Sequence, residues 1–144
     1  MEIKEITAQE TYNIRKEELR KNMDLSTKFT GDLDKDTIHL GLFTDDKLVS
    51  ILSLMKAGYK EFTGFQYQLR GMATLNDYQG KGFGRELVTR SIEIIKEKRA
   101  DIVWCNARVA VLNFYKKQGF KTIGKEFDIP QIGGHFVMYK ELND

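Results

Sequence analysis

Apolar and polar residues alternate through EIKEI at the start of the chain and predict a short first strand. Thr7 and Glu10 follow three apart as a capping box, which gives two backbone N–H groups of a new helix their acceptors; that helix is expected to run to about Asn22. Residues 23–36, MDLSTKFTGDLDKD, are polar without a sustained period and predict a long loop. TIHLGLFT and KLVSILSLM predict two strands joined by a tight hairpin at Asp45 and Asp46, although glycine, the preferred turn residue, is missing. The strictest alternation lies in FQYQLRGMATL, with Phe65, Tyr67, Leu69, Ala73 and Leu75 on one face and Gln66, Gln68, Arg70 and Thr74 on the other. Leu87, Val88, Ser91, Ile92 and Ile95 then recur at helical spacing, with Arg90, Glu93, Lys96 and Glu97 toward water. DIVWCNA predicts a buried strand, AVLNFYKKQ a short helix ended by Gly119, and FKTIGKEF and HFVMYKEL two closing strands. The order βα-βββ-αβαββ places the chain in a mixed α/β (α+β) class, a mostly antiparallel sheet flanked by helices.

Composition narrows the picture. A chain of 144 residues with one proline, Pro130, and no repeat or low-complexity tract predicts a single domain over residues 1–144. With 23 basic and 21 acidic residues the net charge is only +2, which argues against nucleic acid as the main partner. Cys105 is the lone cysteine, so an intramolecular disulfide is excluded, and with two histidines the chain lacks a recognisable zinc cluster. MEIKEITAQE lacks the basic end and apolar core of a signal peptide, and LVSILSLM is too short to span a bilayer. The expectation is a cytoplasmic domain with no membrane partner.

The chemistry concentrates in YQGKGFGREL, residues 78–87, where glycines separate a strand from a helix. Such a loop presents backbone N–H groups beside the positive end of a helix dipole and attracts phosphate. A P-loop is excluded because G-x-x-x-x-G-K-[ST] is not present. The dinucleotide fingerprint fails because its third glycine would fall on Arg85, in a hairpin-rich setting. What remains is Q-x-x-G-x-G, on Gln79, Gly82 and Gly84. Together with RGMATL upstream and NFYKKQGF at residues 113–120, this motif resembles that of the GNAT superfamily of acyl-CoA-dependent N-acetyltransferases, and the element order matches across nearly the whole chain. Two departures are Thr74, where that family usually has an apolar β-branched residue, and the lack of a proline near Asn76.

The resemblance implies that acetyl-CoA is the acyl donor and a primary amine of a small molecule or peptide the acceptor, with a homodimer left open. It implies that the backbone of Met72, Ala73 and Thr74 pairs with the pantetheine amides. Backbone N–H groups of Gly80, Lys81, Gly82, Phe83, Gly84 and Arg85, after Gln79, would cradle the pyrophosphate, with Lys81 and Arg85 adding charge. Asn106 and Asn113 are further candidates toward pantetheine or ribose, or else surface and capping residues.

The implied reaction is direct attack of a neutral amine on the thioester. An N–H at Met72 or Ala73 is the expected oxyanion contact, with Gly71 allowing the strand to be irregular there. Tyr115 is the preferred acid for the leaving thiolate, against the alternative of a core tyrosine. The general base stays open among Glu61, His39, His135 and a water relay; His135 is preferred because imidazole takes up protons near neutral pH. Asp24, Asp32, Asp34 and Asp36 make the long loop acidic, either to attract a cationic amine or simply to be solvated. Cys105, inside IVWC, reads as inert packing. A non-catalytic acyl-CoA sensor on the same fold is the alternative function.

Overall fold

The computed structural model describes residues 1–143. Its elements are β1 (Glu2–Ile6), α1 (Ala8–Glu18), β2 (Ile38–Thr44), β3 (Lys47–Met55), β4 (Gln66–Thr74), α2 (Phe83–Glu97), β5 (Ile102–Arg108), α3 (Leu112–Lys117), β6 (Lys121–Ile129) and β7 (Gly133–Glu141). Short 3-10 turns at Asn76–Tyr78 and Val109–Val111 precede α2 and α3. The order is the one expected. The strands form a mixed sheet in the order β1-β2-β3-β4-β5-β7-β6. No helix among the described residues is long and apolar enough to cross a membrane.

The chain divides into two compact units. The first contains Met1–Lys56 and Leu69–Ser91. In it β1, β2 and β3 pair antiparallel, and α1 packs on β2 and β3. Ile6, Ile14, Ile51 and Ala73 form a buried cluster, flanked by Leu19, Phe43, Leu48 and Leu75. Burying each isoleucine of this cluster stabilises by about 1.5–3 kcal/mol. The Thr7 cap is closed both ways: the Thr7 N–H donates to Glu10 Oε1 at 2.9 Å, and the Glu10 N–H donates to Thr7 Oγ1 at 3.2 Å. The β2–β3 turn works without glycine because Asp45 (φ 51°) and Asp46 (φ 63°) both adopt left-handed backbone, as a primed hairpin turn requires.

Helix α1 ends at Glu18, short of the expected Asn22. The N–H groups of Leu19 and Arg20 both donate to the Arg15 carbonyl, at 2.9 and 3.0 Å, and Asn22 turns to φ 61°. A left-handed residue there diverts the chain into the long loop.

The second unit contains Ala57–Gln68 and Ile92–Asp144. The first three residues of β4 run parallel to β5, from Gln66 opposite Ile102 to Gln68 opposite Trp104. β5 and β7 pair antiparallel with Cys105 opposite Met138, and β6 pairs with β7. Buried Gln66 is satisfied: its side chain accepts from the Tyr59 N–H at 2.8 Å and donates to the Phe62 carbonyl at 3.1 Å.

Candidate active site

Within the first unit, β4 is kinked at Gly71, whose φ of 63° lies in the left-handed region. The irregularity expected there is present. Downstream, the strand end is pinned from several sides. The Leu75 N–H donates to the Val49 carbonyl at 2.9 Å, Ser50 Oγ donates to the Ala73 carbonyl at 3.2 Å, and Ser50 Oγ lies 2.7 Å from Thr74 Oγ1. This Ser50–Thr74 pair accounts for a hydroxyl where an apolar residue was expected. Ala73 is buried, while Met72 and Thr74 are half-buried.

The glycine turn follows. Gly80 and Gly82 have φ of 78° and 82°, and a Cβ on Gly80 would meet no atom within 4 Å. The Glu86 N–H donates to the Gly82 carbonyl at 3.1 Å, so Gly82 stands at the cap position of α2 and offers no side chain to it. Helix geometry leaves the N–H groups of Phe83, Gly84 and Arg85 with no carbonyl one turn behind them. The open turn and those donors together suit an anion. Lys81 and Arg85 are exposed. Lys81 Nζ lies 5.7 Å from the Tyr78 ring centroid and Lys47 Nζ 5.4 Å from it. Gln79, a candidate cofactor contact, is exposed beside this turn. Its side-chain amide donates to the Thr74 carbonyl at 3.0 Å, bracing the turn against β4, and its N–H donates to the Asn76 carbonyl at 3.3 Å within the turn.

In the second unit Tyr115 is buried, edge-on to Phe114 at 5.2 Å and tilted against Phe120 at 5.3 Å. Burial, and then the neighbouring Cys105, lift its phenol well above the ordinary tyrosine range. Cys105 itself is buried and its thiol is pushed up to about 12 by burial, which excludes it as a nucleophile near neutral pH. Asn106 and Asn113 are exposed, on β5 and α3. His135 is buried and stacked on Phe127 at 5.7 Å. Its Nδ1 lies 2.7 Å from the Gly133 carbonyl. A carbonyl only accepts, so Nδ1 carries a proton and Nε2 is the nitrogen able to take one up. Glu61 is exposed in a turn.

Two expectations are corrected. His39 is not placed as a base: buried in the first unit, its Nε2 lies 2.9 Å from the Asp32 carbonyl and its Nδ1 2.6 Å from Ser53 Oγ. Nor does Asp32 attract solvent cations. It is buried in a bidentate pair with Arg15, Nη1 to Oδ2 at 2.8 Å and Nη2 to Oδ1 at 3.0 Å. Burial alone would raise the Asp32 carboxyl; hydrogen bonds from Arg15 and the Phe29 N–H, with the Arg15 charge, outweigh it and hold the group below the usual carboxylate range.

The model of the acetyltransferase (GNAT) family matches residues 2–120, most of the chain. The chain belongs to the GNAT acetyltransferase family. It is 40% identical over 144 residues to the uncharacterized N-acetyltransferase YitI of Bacillus subtilis (strain 168), covering 99% of this chain and 97% of that one. Its fold is similar to the crystal structure of Escherichia coli ElaA, with a TM-score of 0.80 at 18% identity over 97% of this chain and 99% of that one. It is also similar to an aminoglycoside 6'-N-acetyltransferase complexed with coenzyme A, with a TM-score of 0.80 at 12% identity over 100% of this chain and 98% of that one.

Beyond the GNAT motif, the sequence reading missed the network around Arg15. This arginine has no exposed surface, and its Nη atoms also donate to the Thr27 carbonyl at 2.8 Å and Ser53 Oγ at 3.1 Å. Its guanidinium lies 3.8 Å from the Phe29 ring centroid. The available signal was position: Ala8, Thr11, Ile14 and Arg15 share the buried face of α1, and an arginine on such a face requires an acidic partner.

Proposed function

We propose that residues 1–144 act as one N-acetyltransferase domain that moves an acetyl group from acetyl-CoA to a primary amine of a small-molecule or peptide acceptor. The observation that carries this reading is the uncapped glycine turn: left-handed Gly80 and Gly82 lead into the first N–H groups of α2, directly after a β4 end fixed by Ser50 and Gln79. That turn suits the pyrophosphate, with Lys81 and Arg85 as supporting cations. The family match across residues 2–120 and the alignment with YitI through the full length support a single working domain.

In this reading the backbone of Met72, Ala73 and Thr74 pairs with pantetheine, and an N–H beside the Gly71 kink meets the thioester oxygen. The neutral amine forms a new C–N bond at the carbonyl carbon, and the oxygen takes up negative charge that the N–H stabilises. The amine proton passes to a base, for which His135 Nε2 is the candidate, with Glu61 or ordered water as the alternatives. Collapse of the intermediate breaks the C–S bond, and the Tyr115 hydroxyl protonates the departing thiolate. Asn106 and Asn113 stand as candidate contacts to the donor. The test is twofold: calorimetric binding of acetyl-CoA, and release of CoA across a panel of primary amines at several pH values. Acetyl-CoA binding with acceptor-dependent CoA release is expected. No binding would defeat the reading; binding without release from any amine would turn it toward an acyl-CoA sensor.

A further inference from the structure

Three guanidinium groups surround one phenylalanine in the first unit. Arg15, Arg70 and Arg20 place their Cζ atoms 3.8, 4.6 and 5.1 Å from the Phe29 ring centroid. Arg15 is paired with the Asp32 carboxylate. Arg20 bonds to backbone carbonyls, of Leu19 at 3.2 Å and Ser26 at 3.4 Å. Arg70 is half-buried on β4, and its hydrogen-bond contacts among the described residues are long, 3.5 Å to the Thr30 carbonyl and 3.7 Å to Met55 Sδ. These long contacts leave the planar fork of Arg70, the feature that makes guanidinium a carboxylate receptor, without a close bidentate partner among the described residues.

The cluster lies against the kink of β4. A Cβ on Gly71 would come within 2.9 Å of Phe29 Cε2 and 3.4 Å of Arg15 Nε, so the glycine is what lets the ring approach the strand. Arg15 Nε is also a buried side-chain nitrogen with no hydrogen-bond partner among the described residues. A donor buried without an acceptor costs about 1–3 kcal/mol, and its place beside the kink marks where an acceptor atom would be welcome.

We propose that Arg70, with Phe29 as apolar wall and Arg15 behind it, recognises the acceptor, and that the acceptor is a small amine carrying a carboxylate. This rests on the acyl-transfer reading and names its substrate class. Burial first and the Arg15 charge second weaken the Arg70 cation, and Asp32 offsets only part of this. An arriving carboxylate relieves that excess, whereas a bare ammonium is repelled by it. Arg70 and Met72 are two residues apart on β4, a rise of roughly 7 Å at most. A carboxylate held at Arg70 therefore keeps an amine a few bonds away within reach of a thioester whose oxygen meets the kink. The exposed Asp34 and Asp36 on the same loop carry no part of this recognition.

The experiment compares matched pairs: glycine, β-alanine, γ-aminobutyrate and a set of L-α-amino acids, each beside its primary carboxamide, with acetyl-CoA at saturation. A preferred carboxylate is expected to exceed its carboxamide by about 10- to 100-fold in kcat/KM, the worth of a charge-assisted hydrogen bond. Arg70→Gln should raise KM for that acceptor and erase the preference with kcat largely kept, Arg70→Lys should restore part of it, and acetyl-CoA affinity should hold in both. In parallel, the melting temperature of the CoA-saturated protein is measured with each pair member. A carboxylate-selective rise that Arg70→Gln abolishes supports the pocket even if no amine is acetylated, an outcome that would defeat only the acyl-transfer reading. Equal or better turnover and stabilisation by carboxamides, or a carboxylate preference that survives in Arg70→Gln, overturns the proposal.

Discussion

Burial raises the Tyr115 phenol, and Cys105 shows how far the same surroundings raise a thiol, to about 12. Burial makes a departing thiolate more basic as well, which favours its protonation. Tyr115→Phe keeps the ring contacts to Phe114 and Phe120, so the melting temperature should move by only a few degrees, as expected for about 1 kcal/mol. At saturating substrates kcat should fall by about 10²- to 10⁴-fold; an unchanged kcat with chemistry rate-limiting would remove Tyr115 as the acid. His135→Gln should leave acetyl-CoA affinity intact and flatten the acidic limb of kcat/KM against pH. An identical profile would move the base to Glu61 or water. Asp32→Asn tests the buried pair. It leaves the Arg15 charge without its partner, at a cost of about 3–5 kcal/mol. The native Asp32 carboxyl lies below its ordinary value, so its contribution is complete above the unfolded pKa of about 3.9 and is lost as pH falls through the folded one. Urea midpoints from pH 6 to pH 3 should therefore fall less steeply in the variant than in the native chain.

Among the elements, those built from near neighbours were readable in advance. The Thr7–Glu10 box, the β2–β3 hairpin and the apolar stripe of α2 each depend on residues within a few positions of one another, and each appears where its pattern put it. The end of α1 was not readable, because Asn22 carries no glycine signal for its left-handed turn. The glycine turn of the candidate site announced itself by composition. The Arg15–Asp32–His39–Ser53 network did not, since it joins four stretches with no shared period. For the turn, Gly82→Ala imposes a left-handed alanine at φ 82°, its Cβ 3.7 Å from Arg85 Nη2 in ordinary contact, and Gly124→Ala imposes a like strain in β6 at φ 77°, in open space. Both should lose about 1–2 kcal/mol of stability. Only Gly82→Ala should weaken acetyl-CoA binding in calorimetry, and equal affinities for the two variants would remove the turn from the donor site.

At the scale of the molecule, neither compact unit is a continuous piece of chain. The boundaries fall after Lys56, inside β4 after Gln68, and inside α2 after Ser91. A single cut therefore leaves no intact unit on both sides, which agrees with a family match that runs through both. Because each unit is assembled from separated pieces of chain, cooperative unfolding is the expected outcome, and the chain carries its own label to test it. With its thiol pushed up to about 12 by burial, Cys105 holds very little thiolate near neutral pH, and it is sealed opposite fully buried Met138. An aromatic disulfide reagent should thus modify the native protein only as fast as β5 and β7 come apart, and urea should accelerate labelling in step with the loss of secondary structure. Rapid labelling without denaturant would contradict this. The same inertness lets thiol colour read the coenzyme alone during turnover, and lets labelling of Cys105 time each excursion of the sheet.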